Sequence, residues 1–171
     1  MTDAVQRLPS LWRRVTAGYA KLLELLLAGC VGILIFPVTL QAISRYTDLI
    51  PSYIWTEEMA RFLFVWTIMI GAMVGVRGSQ HFEIDVWPIL SRRAEAAVRI
   101  IARLGVLALA VVFVFAGLEF TRFAWNRTSE LAELPLWLIH VAWPVAGFTW
   151  IAFAGEQIVD ELRVLFGAGT Q

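Results

Sequence analysis

Trp55-Thr56-Glu57-Glu58-Met59-Ala60-Arg61, leading straight into Phe62-Leu63-Phe64-Val65-Trp66, puts a charged turn at the mouth of an apolar run. Charges near hydrocarbon are costly, so they should be few, paired and turned toward protein. Glu57 and Arg61 stand at i,i+4, and Glu58 and Arg61 at i,i+3, spacings that bring side chains together on a helix. Both acids lie near the positive end of the helix they open. The uncharged remainder, Phe62–Val76, is shorter than the roughly 20 residues that cross a bilayer. The charged turn is therefore expected at membrane depth or at the interface. Two acids with one base leave one acid wanting a partner, and Arg45 is a candidate within the chain. Removing Arg61 is expected to strand buried charge. The plain alternative is a self-satisfied ion cluster that ends a helix.

Working outward from this turn, the apolar residues fall into four blocks, read as spans at about 22–43, 55–76, 100–120 and 134–155. The 171 residues are 59% hydrophobic, above the roughly 45–50% usual in soluble domains. The expected fold is one all-α integral membrane domain, residues 1–171, with four transmembrane helices. Glu24 lies in the first turn of span one, Pro37 inside it, and His140 and Pro144 in span four. Arg7, Arg13 and Arg14 precede an apolar stretch too long for a signal peptide, and no small-x-small cleavage site closes it, so it reads as a retained span.

Lys and Arg set the orientation. Arg7, Arg13, Arg14 and Lys21 precede span one, Arg77, Arg92, Arg93, Arg99 and Arg103 lie between spans two and three, and Arg163 follows span four. The other side holds Arg45, Arg61, Arg122 and Arg127. Both termini are thus expected in the cytoplasm. Trp12, Tyr19 and Trp87 would mark the inner interface, and Tyr46, Tyr53, Trp55, Trp125 and Trp137 the outer one. Between spans two and three, Phe82, Val86, Leu90, Ala94, Ala97, Val98 and Ile101 share one helical face. Arg92, Glu95, Arg99 and Arg103 share the other, with Glu95 and Arg99 at i,i+4. Pro88 suits a first helical turn. The pattern predicts an amphipathic helix over about 84–99 lying in the cytoplasmic interface. A long extension of span three is the simpler alternative.

Several chemistries find no support. Zero net charge gives no argument for nucleic acid. The lone Cys30 forms no intrachain disulfide and reads as a packing residue. The two histidines, His81 and His140, should lie toward opposite sides of the membrane, too far apart to share a haem or metal ion. His140 is expected to hydrogen-bond within the bundle. Gly-x-Ser-x-Gly, HExxH and phosphate-loop motifs are missing. So is a pair of Gly/Pro-interrupted spans in matching halves, the mark of a solute site in secondary transporters. Asn126-Arg127-Thr128 matches a glycosylation pattern common by chance. Glu119 with Arg122, and then Glu130 and Glu133, reads as a solvated outer loop or as a docking rim. His81-Phe82-Glu83-Ile84-Asp85 is equally a capped turn or a contact surface.

Ser44-Arg45-Tyr46, Trp55 through Arg61, Trp66, Gly71-Ala72 and His81 through Asp85 resemble the signature of the small membrane (Q, DctQ-type) subunit of tripartite ATP-independent periplasmic (TRAP) transporters. Leu134-Pro135-Leu136-Trp137 leading to Pro144-Val145-Ala146-Gly147-Phe148 is similar to that family's fourth span. The resemblance covers about residues 22–155. It implies a non-enzymatic scaffold in the bacterial inner membrane that forms a heterodimer with a large elevator-type subunit. That subunit would carry out sodium-coupled uptake of an organic acid delivered by a periplasmic binding protein. It implies no cofactor in this chain, with sodium bound by the large partner. Arg45, Trp55, Glu57, Glu58, Arg61, His81 and Asp85 would meet that partner or a membrane lipid. Tyr46, Asp48, Tyr53, Arg122, Arg127, Glu130 and Glu133 would form the docking surface for the binding protein. The rival reading is a self-sufficient proton-coupled exporter acting as a homo-oligomer, for which Glu24 is the only acid within span one.

Overall fold

A computed structural model describes residues 11–47, 53–78, 92–130 and 132–165. Asp48, His81, Asp85 and residues 84–91 of the expected amphipathic helix lie outside them. The elements are α1 (Leu11–Tyr46), α2 (Ile54–Gly78), α3 (Arg92–Ala124), the single-turn α4 (Trp137–His140) and α5 (Ala142–Leu165). Four helices are long and apolar enough to cross a membrane. That is the expected four-span all-α architecture, with different ends.

α1 begins at Leu11 and is 36 residues long, or roughly 54 Å at 1.5 Å per residue, well beyond the ~30 Å hydrocarbon core. Pro37 lies buried within it. Residues 92–99 are the first turns of α3, continuous with span three, as the simpler alternative expected. Span four is interrupted at Val141. Pro144 has no N–H to offer the carbonyl of His140 four residues earlier. The chain recovers on either side, where Val141 N donates to Trp137 O at 2.9 Å and Val145 N to Val141 O at 3.2 Å. α5 then runs on to Leu165.

Cross-contacts fix the arrangement. α3 packs most extensively on α5, α1 on α2, and α2 on α5. Along α5, Ala142, Ala146, Trp150, Phe153 and Ala154 are buried, and the first four join Met73 of α2 and Ala110 of α3 in one core cluster. Small residues let backbones approach where lipid gives no hydrophobic drive between helices. A Cβ on Gly147 would stand 2.7 Å from the Ala110 carbonyl oxygen, and one on Gly117 2.6 Å from Pro144. Glycine is required at both crossings. Phe113 fills the space between Trp143 (4.9 Å) and Trp150 (4.8 Å). The indole of Trp66 donates to Leu138 O at 3.0 Å and ties α2 to α4. The fourth span, α4 with α5 (Trp137–Leu162), is the most interior, with 44% of its apolar window buried against 11% for α1.

The bundle thus has two ends. One, the arginine end, gathers Arg13, Arg77, Arg99 and Arg103 with Glu156, Asp160 and Glu161. The other, the loop end, carries the α3–α4 connection over the start of α2.

Candidate functional site

At the loop end the first turns of α2 split their charges between two faces. Successive residues on a helix are about 100° apart, so Glu57 and Glu58 flank Arg61 on different sides and can face different neighbours. Glu57 and Arg61 pair at 3.6 Å, with side chains 65% and 61% exposed. They head a stripe that continues through exposed Phe64 and Ile68. Glu58 turns inward and is 4% exposed. Its carboxylate accepts the Ser129 hydroxyl at 2.5 Å and the Ala132 amide at 2.6 Å. The acid expected to look for a neighbour therefore finds it in its own chain, 71 residues away. Removing Arg61 would not strand Glu58.

The connection so held is compact. Trp125 N and Arg127 N donate to Arg122 O and Ala124 O as α3 ends. Ser129 N donates to Leu134 O at 2.8 Å and Leu136 N to Arg127 O at 2.9 Å. Leu134 N reaches Ser129 Oγ at 3.1 Å. Ser129 thus relays the loop's own hydrogen bonds to Glu58. Glu133 takes a left-handed backbone, φ 51°, which costs a non-glycine residue about 1 kcal/mol. An open cleft of about 470 Å³ lies between α2 and the loop, lined by Trp55, Met59, Glu130, Ala132, Glu133 and Leu134.

Of the remaining expected residues, Trp55, Glu130 and Glu133 line this cleft and the other described ones do not. Tyr46, Tyr53, Trp55 and Trp125 are exposed, and Trp137 lies half-buried at 5.5 Å from Trp125. Arg45 and Arg122 are exposed and form no ion pair among the described residues, although Glu119 stands one turn from Arg122. Arg127 lies over the ring of Phe123 at 3.9 Å. Glu130 and Glu133 are exposed and likewise unpaired among the described residues. His140 Nδ1 is 2.8 Å from Leu136 O, a bond within its own segment.

The arginine end corrects one expectation. Arg99 and Arg103, expected on the polar face of an interfacial helix, pack against α5: Arg103 is 7% exposed, 2.8 Å from the carboxylate of Glu161 and 3.1 Å from Gln157 O. Arg99 spans Glu95 and, at 3.6 Å, Glu161. Tyr19, expected to mark the inner interface, bonds Thr149 at 2.9 Å and so ties α1 to α5. Arg13 pairs with Asp160 and lies 3.8 Å from Glu156, which is 3.9 Å from Arg77. Gln157 Nε2 donates to Val76 O at 3.0 Å. A second cleft, at the arginine end, is lined by Glu24 together with Arg13 and Arg77. Among the described residues no group of His, Cys, Asp or Glu is placed to hold a metal.

Four long apolar helices, with exposed charge at the loop end, describe a multi-pass membrane protein. Residues 34–164 match the family model "Tripartite ATP-independent periplasmic transporters, DctQ component". The chain belongs to that family, whose members are transport subunits of the inner membrane rather than enzymes. It is 36% identical over 98 residues to the C4-dicarboxylate TRAP transporter small permease protein DctQ of Rhodobacter capsulatus, covering 54% of this chain and 42% of that one. It is 26% identical over 153 residues to the isethionate TRAP transporter permease protein DctMQ of Oleidesulfovibrio alaskensis, covering 85% and 24% respectively. Over 68 residues it is 41% identical to the sialic acid TRAP transporter permease protein SiaT of Haemophilus influenzae, covering 39% and 11%. The chain thus spans less than half the length of each of these relatives.

Proposed function

We propose that this chain is the stationary small subunit of a TRAP transporter, pairing with a large elevator-type subunit that takes up an organic acid with sodium after delivery by a periplasmic binding protein. The observation that carries this reading is the outward stripe of α2. An ion pair, Glu57–Arg61, heads a row of exposed apolar side chains. At membrane depth such a pair calls for protein or lipid headgroups rather than acyl chains. On this reading the α2 stripe and Arg45 meet the large subunit or a lipid between the two, together with His81 and Asp85. Tyr46, Asp48, Tyr53, Arg122, Arg127, Glu130 and Glu133 belong to the docking face. The Lys and Arg distribution supports cytoplasmic termini, and the composition of residues 84–91 supports an interfacial lead into α3.

Co-expression with the large subunit tests the pairing. The two are expected to co-purify, and uptake in proteoliposomes is expected to need both, sodium and the binding protein. Uptake by the large subunit alone would refute the scaffold role. Proton-coupled efflux by this chain alone would favour the exporter. For that reading Glu24 is poorly placed, since it lies beside two arginines at one end of the bundle. In a Cys30→Ala background, a cysteine at Glu130 should label from outside the cell and one at Leu11 should not. The opposite pattern would reverse the topology.

A further inference from the structure

Glu58 is the buried acid of the loop end, and its two described hydrogen bonds both run to one short stretch, Ser129 and Ala132. An acid is a costly choice for that task. Burying a carboxylate carries a desolvation penalty that a neutral side chain avoids, and Glu57, Glu130 and Glu133 add like charge nearby. What the carboxylate supplies in return is a pair of charge-assisted hydrogen bonds, stronger and more directional than neutral ones. They fix the loop to the same helical turn whose outer side carries Glu57 and Arg61. The loop in turn holds Glu130 and Glu133 outward, around the cleft floored by Trp55 and Met59.

We propose that Glu58 is a positioning residue for docking: its carboxylate latches Ser129 and Ala132 of the α3–α4 connection to α2 in the shape that the binding protein recognises. This rests on reading the chain as the small subunit of the transporter. Glu58 touches neither solute nor binding protein; it acts through the loop. Losing the latch frees the loop to open locally, and the binding protein must then select the closed form from a broader population. Its apparent affinity falls by that fraction, while turnover at saturation is kept.

The test compares wild type, Glu58→Gln and Ser129→Ala in the assembled complex, with the binding protein titrated outside proteoliposomes. Glu58→Gln keeps the shape but turns one acceptor into a donor facing donors. Amide exchange at residues 129–134 is expected to speed by about tenfold or more, the scale of one lost charge-assisted hydrogen bond. The concentration of binding protein giving half-maximal uptake should rise by several fold, with maximal uptake within about twofold of wild type. Ser129→Ala should give a smaller change in the same direction. Unchanged exchange in Glu58→Gln would overturn the latch, and faster exchange with an unchanged titration would overturn its role in docking. If Glu58→Gln fails to assemble, Ser129→Ala decides, and wild-type exchange and titration there overturn the proposal. These failures leave the scaffold reading standing, because that reading falls only if uptake proceeds without this chain.

Discussion

The two ends of the bundle use charge in opposite ways. At the arginine end, ions hold helices to one another: Arg13 bridges α1 to α5, Arg77 reaches from α2 toward Glu156, and Arg103 with Arg99 clamps α3 to Glu161. At the loop end, one acid is buried against neutral donors, while Arg45, Glu119, Arg122, Glu130 and Glu133 stay exposed without ion pairs among the described residues. The first pattern spends its charges on internal cohesion. The second leaves them exposed at the surface. A fold held at one end and displayed at the other suits a component that must be rigid and recognisable at once.

The sharpest way to break this contrast is Arg103→Ala. It uncovers a buried acid, and breaking a buried pair costs about 3–5 kcal/mol. Thermal unfolding of the purified complex should show the largest loss of any single charge removal, and a loss no greater than that of Arg122→Ala would erase the distinction between the ends. Next comes Gly147→Ala, which forces α5 away from the Ala110 backbone at about 1–3 kcal/mol. Gly105→Ala, with nothing within 4 Å of the added Cβ, is the control and should be tolerated. Arg61→Ala should cost less than about 1 kcal/mol in stability, since its ion pair is exposed. It should nonetheless lower the yield of co-purified large subunit; unchanged yield would remove α2's stripe from the interface. The smallest effect is expected from Glu133→Gly, within about 0.5 kcal/mol by denaturation, because relieved left-handed strain is offset by added freedom in the unfolded chain.

The spans were legible because apolar blocks of bilayer length have few other uses. Their ends were not. Arg13 and Lys21 read as preceding span one, yet α1 already runs through them, with Arg13 meeting α5. Arg103 read as solvated because periodicity places a residue on a face without saying what covers that face, and Glu161 covers it. Glu57–Arg61 followed from local spacing. Glu58 did not: its partner Ser129 lies in a loop with no periodicity, and a serine among polar residues gives no sign of its role. The break at Val141 had a visible cause in Pro144, whose missing N–H marks the carbonyl it leaves unserved.

The glycine crossings of α3 and α5 carry a mechanical consequence. Where backbone meets backbone at Gly117 and Gly147, no layer of flexible side chains lies between the helices to absorb a push. Interiors packed in this way compress little. A force met by one rod is delivered almost undiminished to the other, and the pair bends as a single beam.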